Sequence, residues 1–273
     1  MDSALASRLG QSVRAADPDR YFATLFAPAA ARPYLYALYA FNHEVARIAE
    51  TVREPMLGAI RLEWWRETVE QAGRARPRNH DVARGLAALF AAHRLEPAML
   101  EGIIAARAFD ASAEQFADFA SLEDYLDATG GALMRAAAII LGGDNLSSEG
   151  LAIVRPAALA YGLAGLLRSL PFHNSRHKLY LPLDLLAALH VTPEEFFLLK
   201  DDPRTASAVR QTALRARDHF LAARRGPRPK TALPAILPAA LVPCYLRRLS
   251  KMRDVSIHRR QMALLSAAMK KRL

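Results

Sequence analysis

The sequence predicts an all-α protein, folded as a bundle of helices in a single domain. Three observations support this prediction. The 273 residues are 52% hydrophobic, which is ample for one large core. About a fifth of them are alanine, a strong helix former, while β-branched residues are sparse. No stretch alternates apolar and polar residues for long enough to build a sheet, and no internal repeat is visible. We expect one domain over residues 1–273.

Caps and breakers place the helices of the first half of the chain. Proline is favoured in the first turn of a helix, and glycine or a further proline ends one. The stretch 73–80 is the clearest polar loop. The predicted helices run from Ser3 to about Ala16, over a short segment after Pro18, from Pro33 to about Arg53, from Pro55 to about Ala72, from Asp81 to His93 and from Pro97 to Phe109.

Two capping boxes mark helix starts in the second half. In a capping box, a Ser or Thr and an acidic residue three positions later each accept the other's backbone N–H. Ser121-Leu-Glu-Asp124 predicts the start of an apolar helix that ends near Leu141, and Thr192-Pro-Glu-Glu195 predicts another start. Further helices are expected from Ser148 to about Leu170, from about Thr205 to Arg225, and twice more before the C-terminus.

The sequence predicts neither a signal peptide nor a transmembrane helix. Its start, Met1-Asp2-Ser3, has neither the basic nor the apolar region of a signal peptide. The longest apolar run, Ala232–Leu246, is interrupted by three prolines and is shorter than the roughly 20 residues that a bilayer span needs. Cys244 has no second cysteine with which to form an internal disulfide. We therefore expect a cytoplasmic protein, peripheral at most on the inner face of the membrane.

Positive charge is concentrated in the C-terminal quarter. Residues 210–273 hold 16 lysines and arginines against two aspartates, a net charge of +14, whereas residues 1–209 hold 21 against 25, a net charge of −4. A field of this sign attracts an acidic protein partner or an anionic membrane surface. Nucleic acid is not expected as a partner, because no aromatic residues interleave the basic ones. The alternative is a solvated, arginine-rich helical face. If the segment docks, the basic residues expected to take part are Arg259, Arg260, Lys270 and Lys271.

The first unusual segment is Tyr36–Glu50. Its His43, Arg47 and Glu50 are spaced i, i+4, i+7 and would share one face of a helix. The rest of the segment is rich in Tyr, Phe, Leu and Ala, which favours an inward-facing polar stripe whose charges must be paired. A helix that faces solvent would carry the same three residues without any function.

The second unusual segment is Leu166–Pro182, in which an apolar helix is expected to end at Pro171. Five donors crowd into it, and together they could bind an anion. A basic loop that caps helix carbonyls explains the same residues equally well. The five donors are Arg168, His173, Arg176, His177 and Lys178.

At these two segments the sequence resembles the squalene/phytoene synthase family. Tyr39-Ala-Phe41 leads the first motif helix, Leu57–Arg66 is similar to the segment after it, and Tyr125–Gly131 is similar to the glycine-containing central helix. Lys178–Asp184, which includes Tyr180, resembles the closing signature. The resemblance covers nearly the whole chain. It implies the isoprenoid synthase fold with a central cavity, in enzymes that join two isoprenoid diphosphates head to head.

In that family, two aspartate-rich motifs hold Mg²⁺ ions that bridge the substrate diphosphate. Mg²⁺ prefers octahedral oxygen ligands, and the departing pyrophosphate needs its charge neutralised. The resemblance assigns the aspartates to five positions of this chain, but only one of the five carries a carboxylate. We therefore expect no metal and no cofactor. The residues at these positions are Ala46, Arg47, Glu50, Ser169 and His173.

An aspartate-depleted branch of the family, which includes assembly factors of respiratory complex I, fits these departures. Phe41-Asn-His-Glu44, Trp64-Trp65 and Arg168–Arg176 before Tyr180-Leu-Pro182 resemble that branch. Its members keep the synthase fold and are implicated in building the peripheral arm of the respiratory complex. This narrower resemblance implies binding instead of catalysis.

The residues leave three functions open. A non-catalytic assembly factor or scaffold explains both the missing aspartates and the basic C-terminal quarter. A working prenyl-diphosphate transferase would have to clamp the diphosphate with basic side chains in place of metal. An isoprenoid or lipid binder would keep the cavity and lose the chemistry. In all three, the first-motif residues are expected to face the second-motif residues across the cavity. The basic residues available as a clamp are Arg47, Arg168, His173, Arg176 and Lys178.

Overall fold

The computed structural model describes residues 1–52, 54–93, 95–112, 114–143, 151–198, 202–226, 231–249 and 255–273. Across these ranges every regular element is helical, which confirms the predicted all-α class. None of the described helices is both long enough and apolar enough to cross a bilayer.

The first half of the described chain is a succession of helices joined by short loops. They are α1 (Ser3–Ala16), α2 (Pro18–Thr24), α3 (Arg32–Ala46), α4 (Ile48–Thr51), α5 (Pro55–Gly73), α6 (Asp81–Ala92), α7 (Pro97–Ala111), α8 (Phe119–Leu126), a π turn (Asp127–Gly131) and α9 (Ala132–Gly142).

The second half contains the longest helix and several short ones. The helix start predicted at Ser148 lies outside the described residues. The elements are α10 (Val154–Arg168), α11 (Leu170–Ser175), α12 (Leu183–Ala188), α13 (Pro193–Leu198), α14 (Pro203–Arg225), α15 (Leu233–Ile236), a 3₁₀ segment (Leu237–Leu241), α16 (Val242–Leu249) and α17 (Ile257–Met269).

Aspartates and prolines start many of these helices. The side chains of Asp2, Asp17 and Asp202 accept backbone N–H groups of the first helical turn. Proline lies in the first turn of α2, α3, α5, α7 and α14, where it removes no donor that the helix needs. The capping box predicted at Thr192 and Glu195 is confirmed, because each side chain accepts the other residue's backbone N–H.

Two predicted helix boundaries are wrong. The residue that caps α8 is Asp118, whereas Ser121 lies in the first turn and accepts the Asp118 backbone N–H through its hydroxyl. The helix predicted from Pro33 to Arg53 is interrupted at Arg47. The residues after Arg47 form the separate short helix α4, in which the Arg47 carbonyl accepts both the backbone N–H and the hydroxyl of Thr51 at 3.1 Å.

Small residues let the helices approach one another closely. α1 packs on α3, α3 on α6, and α5 on α7, while α10 lies along α14. At Gly85 of α6, an added Cβ would lie 2.8 Å from Leu9 Cδ1 and 3.0 Å from Ala37 Cβ, so α1, α3 and α6 converge at this residue. α2 contacts α3 as well as the 3₁₀ segment and α17. These contacts bring the N-terminal and C-terminal parts of the described chain together.

Candidate functional site

The first motif segment bends at Arg47, after the end of α3. His43 and Glu44 are half-buried, whereas Arg47 and Glu50 are exposed. The Arg47 guanidinium lies 3.9 Å from the Glu44 carboxylate. Because the helix is interrupted at Arg47, His43 and Glu50 do not lie on one continuous helical face.

The second motif segment turns at the end of α10. Ser169 joins α10 to α11, and the ring of His173 in α11 lies 4.7 Å from the ring of Tyr180. Arg176 follows α11, and its guanidinium donates a hydrogen bond to the Glu50 carbonyl at 2.8 Å. This contact brings the two motif segments side by side through a backbone acceptor.

Lys178 caps the C-terminal end of α7. Its ammonium donates hydrogen bonds to the carbonyls of Phe109 and Ser112, at 3.1 and 2.8 Å, and lies over the Phe109 ring. Burial lowers the pKa of Lys178, although the nearby Asp110 carboxylate raises it. Lys178 therefore makes the carbonyl-capping contacts that the sequence left as the alternative to an anion pocket.

Asp110, close to Lys178, gathers two phenols and a guanidinium. Its carboxylate is 5% exposed, accepts hydrogen bonds from the hydroxyls of Tyr125 at 2.6 Å and Tyr180 at 2.9 Å, and lies 3.0 Å from Arg107 Nη1. Burial raises the pKa of both phenols well above its ordinary range, so they remain protonated donors. The chain's own donors therefore satisfy this buried carboxylate.

Arg168 belongs to a second buried cluster, centred on Asp19 of α2. The Asp19 carboxylate is 3% exposed and lies 2.9 Å from Arg260 Nη1 and 3.6 Å from Arg168 Nη1. Tyr161 donates a hydrogen bond to it at 3.1 Å, and Tyr245 donates another. The sequence predicts Arg260 on a docking surface, and this prediction is wrong, because the side chain is only 14% exposed and its bond to Asp19 ties α17 to α2.

Arg20 of α2 stands between the helices that carry the two motif segments. Its guanidinium pairs with Asp17 at 2.5 Å and is 12% exposed. It lies 5.8 Å from the centre of the Tyr39 ring on α3 and 5.2 Å from the centre of the Tyr161 ring on α10. The side chains of Arg20, Tyr39 and Tyr161 therefore occupy the space between α3 and α10 around Arg20.

These residues do not fit a Mg²⁺ cluster. Within the ranges that the structure describes, no group of three or more His, Cys, Asp or Glu side chains is arranged to hold a metal ion. Ala46 has no ligand atom, and a guanidinium at Arg47 would repel a cation. The buried carboxylates Asp19 and Asp110 are paired with arginines. No step of a metal-assisted reaction can be assigned to them.

Sequence reasoning missed Asp19 and Asp110, around which the buried polar clusters are built. Several of their partners lie far away along the chain: Tyr245 is 226 residues from Asp19, and Tyr180 is 70 residues from Asp110. Locally, Asp17-Pro-Asp19 indicates only a helix start, and Arg107 and Asp110 form only an i, i+3 pair. The fold alone adds the distant partners that complete the clusters.

Comparisons with known proteins agree with this architecture. The family model described as squalene/phytoene synthase matches residues 13–266. Among curated relatives, "NADH dehydrogenase (ubiquinone) complex I, assembly factor 6" of Bos taurus is 30% identical over 241 residues, which cover 88% of this chain and 72% of that protein.

Two solved structures share the fold. A dehydrosqualene synthase in complex with ligand superposes with a TM-score of 0.81 at 15% identity, over 98% of this chain and 96% of that chain. The squalene synthase HpnC from Alicyclobacillus acidocaldarius superposes with a TM-score of 0.72 at 17% identity, over 98% of this chain and 94% of that chain. These likenesses confirm the predicted fold, and the family match over residues 13–266 shows that the chain belongs to the squalene/phytoene synthase family.

Proposed function

We propose that the chain is a non-catalytic assembly factor or scaffold of the kind that serves respiratory complex I. One observation carries this proposal: three of the five basic residues that could replace the metal are bound to acceptors of the chain itself. Arg168 pairs with buried Asp19, and Arg176 binds the Glu50 carbonyl. Lys178 caps α7.

These contacts weigh against the prenyltransferase alternative. When a diphosphate leaves an isoprenoid, negative charge develops on the leaving group and must be neutralised in the transition state. A guanidinium committed to a buried carboxylate would first have to leave it. Leaving Asp19 would offset part of the energy that Arg168 could gain from a diphosphate, and Arg176 would likewise have to leave the Glu50 carbonyl.

The relatives support a binding role. The bovine relative is named as an assembly factor of complex I and aligns with 88% of this chain. We extend that role to this chain as a proposal: it works with components of complex I, at the inner face of the membrane. The net charge of +14 in residues 210–273 provides the field that would hold an acidic partner or an anionic surface.

Deleting the gene in the source organism tests the proposal. We expect less fully assembled complex I on native gels stained for NADH dehydrogenase activity, with restoration by the wild-type gene. The variants Glu50→Gln and His173→Gln should restore assembly equally well, because an assembly factor needs no chemistry at the motif positions. Unchanged complex I in the deletion strain would contradict the assembly role. Rescue by wild type but by neither variant would contradict the absence of chemistry.

A further inference from the structure

One face of α17 is apolar and exposed. Met262, Leu265 and Met269 are spaced i, i+3, i+7 and are 63%, 40% and 76% exposed. The opposite face holds Leu264 and Ala267, which are buried in the core. α17 therefore packs on the bundle through one face and presents a second apolar face outward.

A groove of about 830 Å³ lies between α16 and α17. Its lining combines apolar and basic side chains, among them Val255, Met262, Arg247, Arg248 and Arg259. Arg247 donates a hydrogen bond to the Pro243 carbonyl at 3.1 Å. Arg248 and Arg259 form no ion pair within the described residues. Two cations are thus available beside Met262, the first residue of the exposed apolar stripe.

The part of the chain that forms this groove carries charge of almost one sign. Residues 219–273 contain 13 lysines and arginines and a single acidic residue, Asp254, which lies outside the described ranges. Lys270 and Lys271 directly follow the apolar stripe and are exposed. An occupant of this surface must therefore supply negative charge next to apolar surface.

We propose that the outer face of α17, together with the groove beside it, docks on an anionic phospholipid bilayer. Arg248 and Arg259 bind lipid phosphates, while Met262, Leu265 and Met269 enter the boundary between headgroups and acyl chains. A helix with an apolar face flanked by basic residues lies in this way in the plane of a membrane interface. A bilayer offers phosphate and hydrocarbon in one continuous surface, which an acidic protein patch does not.

This inference rests on the proposed function, which places the chain at the inner face of the membrane, and it names the surface on α16 and α17 that binds there. Vesicle binding tests it separately from complex I assembly, which the native gels measure. Vesicle co-sedimentation tests it. The full-length protein is mixed with vesicles of phosphatidylcholine, with or without phosphatidylglycerol, at low and high salt. We expect about tenfold stronger binding to the anionic vesicles at low salt, and a marked loss of that binding at high salt.

Two variants separate the two halves of the surface. Met262→Ser/Leu265→Ser/Met269→Ser removes the apolar stripe, and Arg248→Gln/Arg259→Gln removes the free cations. Each should weaken binding to anionic vesicles about tenfold or more. All five residues lie at the surface or in the groove, and unchanged melting temperatures would verify that the variants fold.

The matched control is Met56→Ser/Ile60→Ser on α5, where both residues are exposed, at 75% and 58%. It should bind vesicles like the wild type. Equal loss in the control, or equal binding to neutral and anionic vesicles, would overturn the proposal. So would retention on a polyglutamate column without vesicle binding, which would indicate an acidic protein surface. Inorganic phosphate that binds Arg248 and Arg259 without any vesicle association would also overturn it.

Discussion

Substitution of Asp19 should disturb the largest number of buried side chains. Its buried carboxylate is shared by Arg168, Arg260, Tyr161 and Tyr245. Asp19→Ala would leave a buried guanidinium and two phenols without their acceptor. We expect the free energy of unfolding in urea to fall by about 3–5 kcal/mol, the usual cost of breaking a buried pair from one side.

The surface pair of Arg8 and Asp81 provides the matched control for that measurement. The two side chains are 49% and 40% exposed, and their atoms lie 2.6 Å apart. Asp81→Ala should leave the free energy of unfolding nearly unchanged, because water solvates the Arg8 charge that remains. Equal losses for Asp19→Ala and Asp81→Ala would contradict the structural role of the Asp19 cluster.

His173 should make the stability depend on pH. Burial lowers its pKa from 6.5, and Arg176 and Lys178 lower it further, while Asp110 acts in the opposite direction. The unfolded chain therefore binds a proton at His173 more readily than the folded one, and stability falls as the pH drops below the unfolded value.

His173→Gln removes this titration. Between about pH 7.5 and about pH 5.5, the variant should lose less of its free energy of unfolding than the wild type does. Urea unfolding at the two pH values measures the difference. Identical losses in the two proteins would show that the His173 ring is not the source of the dependence.

At the scale of helices, Gly85 sets how closely three of them approach. Gly85→Leu would force side-chain atoms into Leu9 and Ala37, and we expect a loss of about 1–3 kcal/mol in the free energy of unfolding from overpacking. Gly102 of α7 is the control, since an added Cβ there meets nothing within 4 Å. Gly102→Ala should stabilise α7 by up to about 1 kcal/mol. A neutral Gly85→Leu would mean that α1, α3 and α6 do not converge as described.

Lys178 distinguishes a helix cap from an anion ligand. Lys178→Met keeps much of the apolar stem but leaves the Phe109 and Ser112 carbonyls without their charged donor. We expect the free energy of unfolding to fall by about 1–3 kcal/mol, with no change in pyrophosphate binding measured by calorimetry. Unchanged stability combined with lost pyrophosphate binding would restore the anion-pocket hypothesis.

The helices that the sequence predicted correctly depend on local chemistry. The box at Thr192 and Glu195 is complete within four residues, and the starts at prolines need no distant partner. The predicted start of α8 failed because Asp118 and Ser121 are both good capping residues. In the structure they form one reciprocal capping box, with Asp118 as the N-cap.

For the whole molecule, the fold could be predicted from motifs spread along the chain, but the site could not. The sequence is compatible with Lys178 as an anion ligand or as a helix cap. The structure favours the cap, because Lys178 donates a hydrogen bond to the carbonyl of Phe109, 69 residues away. Arg168 shows the same limit. The sequence shows an arginine in the second motif segment, but only the fold shows that Asp19 is its partner. Long-range pairing of buried charges leaves no periodic trace in a sequence.

The central proposal is that this member of the squalene/phytoene synthase family does not catalyse the family reaction. In the most direct test, the purified protein is incubated with farnesyl and geranylgeranyl diphosphates in the presence of Mg²⁺, Mn²⁺ or EDTA. An active squalene synthase, incubated separately, is the positive control. Pyrophosphate release and extracted lipids are measured together. We predict release at the protein-free background under all three conditions and no condensed product. Metal-dependent formation of a squalene- or phytoene-type product, abolished by Glu50→Gln, would contradict the claim.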